Sequence, residues 1–68
     1  MSEKTLLKVE GMSCQHCVSA VTNALEALPG VKKVKVSLEK GEAKVKHEAE
    51  VTLEAMKAAI TEAGFNTL

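Results

Sequence analysis

Apolar and polar positions alternate from Thr5 to Glu10: Thr5, Leu7 and Val9 fall on one side, Leu6, Lys8 and Glu10 on the other. That period of two predicts a half-buried strand, with Leu6 the imperfect member. Gly11 ends it. From Cys17 the period changes. Val18, Val21, Ala24, Leu25 and Leu28 share one helical stripe, while Ser19, Thr22, Asn23 and Glu26 lie outside it. Ser13 is the expected N-cap of this helix, and Pro29-Gly30 stops it. Val34, Val36 and Leu38 then alternate with Lys33, Lys35 and Ser37 as a second strand.

Lys40-Gly41 reads as a two-residue hairpin turn. It predicts that Leu38 pairs with Ala43, Val36 with Val45 and Val34 with His47 on the buried face. On the open face it pairs Ser37 with Lys44 and Lys35 with Lys46. His47 is the one misfit among the buried positions. Further along, Thr52 is placed to cap a second helix, with Val51 and Met56 at the spacing of a hydrophobic staple across the cap. Leu53, Met56, Ala59, Ile60 and Ala63 form its inner stripe, Gly64 its C-cap, and Phe65 to Leu68 a short final strand.

The order is therefore β-α-β-β-α-β, the α+β arrangement called ferredoxin-like: a four-stranded antiparallel sheet with two helices on one face. The chain of 68 residues reads as a single domain spanning positions 1–68. This topology gathers the Gly11–Cys17 loop, the Lys40-Gly41 turn and the Gly64-Phe65 junction at one edge of the sheet. It leaves His47 roughly 15–20 Å away, a strand length.

Composition narrows the function classes. Nine basic residues balance nine acidic ones, so no net charge points to nucleic acid or an anionic membrane. The lysines of the open sheet face read as a solvated face, with docking against an acidic partner as the alternative. That face carries no aromatic on which bases could stack. The N-terminus lacks the apolar stretch of a signal peptide, and no run approaches the roughly 20 residues of a membrane span. The expected address is a cytoplasm, where a close cysteine pair is more often metal-binding or catalytic than a structural disulfide.

That pair is Cys14 and Cys17, within Gly11-Met12-Ser13-Cys14-Gln15-His16-Cys17. The start of a helix offers them unpaired backbone N–H groups and the positive end of its dipole, so a cysteine pKa below the free value of about 8.5 is expected. Soft thiolates select Cu(I), with Zn(II) a competitor. Structural zinc wants four protein ligands, and only two are present, or three counting His16. Two thiolates suit Cu(I) and leave one side open, which is the chemistry of transfer and not of storage; the expected protein is a carrier, not an enzyme. A haem-attachment motif would need histidine after Cys17, where Val18 stands. A thiol-disulfide redox protein is the competing class, although the element order does not suit a thioredoxin-like fold. Met12 is expected in the core, with a thioether ligand to Cu(I) as the alternative. His16 is expected toward solvent, with a third or dimer-bridging ligand as the alternative, and His47 in a structural role. Phe65 is expected to shield the site by packing.

These residues, Gly11 through Cys17 followed by Val18, closely resemble the metal-binding loop of heavy-metal-associated domains, especially those of bacterial copper chaperones. The likeness runs through Pro29-Gly30-Val31 to Ala63-Gly64-Phe65. It implies that Cys14 and Cys17 bind Cu(I), and that the partner is a copper-exporting P-type ATPase with similar cytoplasmic domains. It also admits a copper-bridged homodimer, since an exposed two-thiolate copper can be shared between chains. The family includes mercury- and zinc-binding members. Zinc-handling relatives often carry an acidic residue where this chain has Ser13, and bacterial copper chaperones often carry Tyr where it has Phe65.

Overall fold

The computed structural model describes residues 2–67. The elements are β1 (Ser2–Glu10), α1 (Gln15–Glu26), β2 (Val31–Ser37), β3 (Glu42–Glu48), α2 (Leu53–Glu62) and β4 (Asn66–Thr67). All strand pairs are antiparallel, in the order β2-β3-β1-β4. The inward strand residues Leu7, Val9, Ala43 and Val45 form one cluster with Val21 and Leu25 of α1 and Met56, Ala59 and Ile60 of α2. Both helices therefore cover the same face, as the ferredoxin-like order requires. Leu25, Met56, Ile60, Val21 and Val45 are its largest fully buried side chains. Each contributes about 1.5–3 kcal/mol by leaving water.

Local signals explain the helix boundaries. The Thr52 hydroxyl accepts a hydrogen bond from the Ala55 amide at 3.1 Å, closing the start of α2. Val51 and Met56 are both buried across that cap, as a staple requires. At the other end the Phe65 amide donates to the Ile60 carbonyl and the Gly64 amide to the Thr61 carbonyl, a Schellman closure. Leu53 departs from the expected inner stripe and is 46% exposed. It is the first residue of the helix, and Val51, ahead of the cap, already covers that end of the core.

The β2–β3 hairpin differs from the two-residue turn. Four residues, Leu38 to Gly41, connect the strands, and Ser37 pairs with Glu42, Val36 with Ala43, and Val34 with Val45. The Gly41 amide donates to the Leu38 carbonyl and the Lys40 amide to the Ser37 hydroxyl, so the longer turn satisfies its own backbone. The register is thus two residues from the expected one. A shift of two leaves every side chain on its original face, so alternation alone could not separate the two pairings. His47 now pairs with Val31, beside an irregularity between Val31 and Lys33.

His47 is buried and fully engaged. Its Nδ1 lies 2.8 Å from the Glu48 carbonyl oxygen, which can only accept, so that nitrogen carries a proton. The Thr5 hydroxyl lies 2.7 Å from Nε2 and donates to it in the neutral ring. Glu42 is also buried, and its carboxylate bonds the Lys8 ammonium at 3.0 Å. That bond, with the nearby charges of Lys8, Lys40 and Lys44, holds its pKa below the usual carboxylate range.

Gly30 makes the tightest backbone approach. Its φ is +93°, and a Cβ there would lie 2.7 Å from Val51 Cγ2. Gly64 has a similar φ of +99° but open space around it. Gly30→Ala should therefore combine left-handed strain with a clash in the staple, costing about 2 kcal/mol or more, whereas Gly64→Ala carries only the strain of about 1–2 kcal/mol. Thermal or urea unfolding checks the order; a Gly30→Ala protein as stable as Gly64→Ala would contradict it.

Candidate metal centre

The loop between β1 and α1 is held from both sides. The Val9 amide, near the end of β1, donates to the Gly41 carbonyl at 2.8 Å, tying the hairpin to this edge. A Cβ on Gly11 would lie 3.6 Å from Phe65 Cδ1, so the ring rests against the first residue of the loop. Met12 and Phe65 are half-buried and pack on the core. The edge thus brings the cysteine loop, the hairpin and the Gly64-Phe65 junction together as expected. His47 pairs with Glu3 at the far end of β1, about 25 Å away at strand rise.

Cys14, not Ser13, is the N-cap of α1. Its backbone is extended (φ −159°, ψ 175°), and no side chain caps the helix start. The Cys14 carbonyl accepts from the Cys17 amide at 3.0 Å and the Val18 amide at 3.3 Å, forming the first turn. That turn sets the two sulfurs 3.8 Å apart, with Cys14 exposed and Cys17 half-buried. Ser13 has a different part. Its hydroxyl lies 3.9 Å from Cys17 Sγ, and its backbone is the main influence lowering that thiol's pKa.

Cys17 is therefore the electrostatically prepared thiol. The Ser13 amide holds its pKa below the ordinary thiol value, and partial burial opposes this. The Cys14 amide and the Cys14 and Ser13 side chains add further lowering. No acidic residue occupies the first turn of α1 to compete for its positive end. A helix start by itself predicts a generic lowering and does not single out these two residues. The signal available was the spacing of Ser13 and Cys17, four apart across a helix start.

A sulfur bonded to zinc lies about 2.3 Å from it, so two sulfurs on one ion are at most about 4.6 Å apart. The observed 3.8 Å lets one soft ion reach both without moving the backbone. Among the described residues no group of three or more His, Cys, Asp or Glu side chains is arranged to hold a metal. His16 is exposed, beside Cys17 in sequence but not gathered with the thiols into such a group. The geometry offers two soft donors and an open side.

Comparison with known proteins agrees with this picture. The family described as heavy-metal-associated domain matches residues 6–66. Copper chaperone CopZ of Staphylococcus epidermidis is 45% identical over 67 residues, covering 97% of each chain. Among solved structures, a CopZ metallochaperone superposes with a TM-score of 0.94 at 40% identity, over 97% of this chain and 100% of that one. A copper-binding domain from HMA7, a P-type ATPase, superposes with a TM-score of 0.94 at 35% identity, over 100% of this chain and 92% of that one. With its loop, its element order and its full-length relatives in accord, this chain belongs to the heavy-metal-associated domain family.

Proposed function

We propose that this protein is a copper chaperone of the cytoplasm, a single-domain carrier that holds one Cu(I) ion between Cys14 and Cys17 and passes it to a copper-transporting P-type ATPase. The observation that carries this reading is the pair of thiols 3.8 Å apart at an open edge. Copper chaperones among the relatives, and a domain of a P-type ATPase among the structural neighbours, support it. No helix among the described residues is long and apolar enough to cross a membrane.

The chemistry is ligand exchange without electron transfer. Loading replaces the two thiol protons by one monovalent ion, so prepared thiolate at Cys17 favours it. During transfer a thiolate of the partner forms a bond to copper from the open side. One bond to Cys14 or Cys17 then breaks, and the freed sulfur takes up a proton. A second exchange completes the handover. No step requires the copper to be free in water, and none makes the protein a catalyst. The same unsaturated site lets two copies share copper through their thiolates, giving a copper-bridged homodimer.

The core contains neither cysteine, so binding and folding separate. In an anaerobic competition of Cu(I) against Zn(II), the protein should retain one Cu(I) per chain and refuse displacement by zinc. Cys17→Ser should weaken Cu(I) binding by more than about a hundredfold, beyond the 10–100-fold typical of losing an outer-shell partner. It should unfold at nearly the same temperature as the parent. An unfolded variant would make the site structural, and an unchanged affinity would remove Cys17 from it.

The thiol titrations provide a separate check. In Cys14→Ser the remaining Cys17, still bonded by the Ser13 amide, should form thiolate below about 8.5 when followed by ultraviolet absorbance. Because the folded value lies below the unfolded one, ionised Cys17 stabilises the fold above the unfolded value. That contribution is lost as pH falls through the folded value. Titration at or above the free value would contradict the role given to Ser13.

A further inference from the structure

The balanced net charge conceals a strong separation of charge. Register places Lys33, Lys46 and Lys4 abreast across β2, β3 and β1, and in the next row Lys35, Lys44 and Leu6. These six line one shallow groove on the sheet face away from the helices. All five lysines are exposed, and none has an ion-pair partner among the described residues. The acidic residues nearby are taken up: Glu42 by Lys8 and Glu48 by Lys32, each at 3.0 Å. The helical side carries Glu26, Glu54 and Glu62 against one lysine, Lys57.

Like charges set directly opposite in neighbouring strands destabilise a sheet. A face needed only for solubility would be better served by mixed signs. At the β1 end of the second row, beside Lys44 and two residues from Lys4, stands Leu6, 52% exposed, the most exposed large apolar side chain described. The patch has no arginine and no aromatic, the residues that give specific protein interfaces their geometry and hot spots. Lysines are mobile point charges on apolar stems, suited to a diffuse anionic surface. A leucine bordering the lysines has an apolar counterpart in a lipid layer and none along a phosphodiester backbone.

We propose that the open sheet face is a peripheral docking surface for an anionic lipid bilayer, with Lys4, Lys33, Lys35, Lys44 and Lys46 over the headgroups and Leu6 at the interface. The opposing glutamates do not cancel this attraction. The molecule measures 33 × 20 × 19 Å, and at about 0.1 M salt fields fade over about 10 Å. Docking on this face leaves the cysteine edge clear, and it uses neither thiol, so its failure would leave the copper reading untouched. For a carrier serving a membrane transporter, it would confine the search for the partner to the membrane surface.

Co-sedimentation with phosphatidylcholine vesicles, with and without about one-third phosphatidylglycerol, tests the proposal. Binding is expected only with the anionic lipid, and it should fall as salt is raised. Each lysine near such a surface is worth about fivefold, so Lys33→Gln combined with Lys44→Gln should weaken binding about 25-fold. Leu6→Gln should weaken it further at unchanged charge. All three side chains are exposed, and matching thermal unfolding would confirm that the fold is intact. Absence of vesicle binding by the parent, or lipid affinity unmoved by these substitutions, would overturn the proposal. Equal or tighter binding to duplex DNA or to polyglutamate would also overturn it, by making the face a general polyanion or acidic-protein site.

Discussion

One helical turn governs the chemistry of this molecule. The Cys14 carbonyl takes the amides of Cys17 and Val18, and through those two bonds a loop residue and a helical residue present their sulfurs together. Three residues of separation along a helix bring side chains to one face. The extended backbone at Cys14 turns the other partner back toward them. Without that turn the motif would be two unrelated thiols; with it, the sulfurs stand 3.8 Å apart and the amides of Ser13 and Cys14 face Cys17.

The rest of the fold keeps that turn in place without occupying it. Val21 and Leu25, one and two turns further along α1, are completely buried and fix the helix on the sheet. Met12 anchors the loop on the core, Phe65 packs against Gly11, and the hairpin is joined to β1 through the Val9 amide and Gly41 carbonyl. Apolar packing thus carries the fold and leaves the soft donors at the rim. That division suits a proposed cargo that must leave: a metal that also held the core together could not be surrendered without unfolding the carrier.

Much of this was legible because period and punctuation agree. The change from alternation to a helical stripe at the cysteines, the Thr52 cap and the Gly64 closure each appear where the residues suggested, whereas α1 already ends at Glu26, with Leu28 in the turn that leads to Pro29-Gly30. The departures have equally local causes. Hairpin register was underdetermined because a shift of two preserves every face, and Ser37 and Gly41 decide it by closing a longer turn. Ser13 looked like a cap by residue type, but its amide and hydroxyl are directed toward sulfur. Leu53 satisfied the helical stripe yet lies at its exposed end. Charge was the least legible property. Equal totals gave no sign that β-pairing would set lysines abreast on one side and leave most helical charge acidic on the other.

The central proposal is that the two thiolates of the chain, without an imidazole, hold one soft ion at the edge of a metal-independent fold. X-ray absorption at the copper edge, on protein loaded below one equivalent without oxygen, tests it most directly. The account predicts monovalent copper with sulfur as its only near neighbours. An imidazole nitrogen in the first shell, or a shell without sulfur, would contradict it.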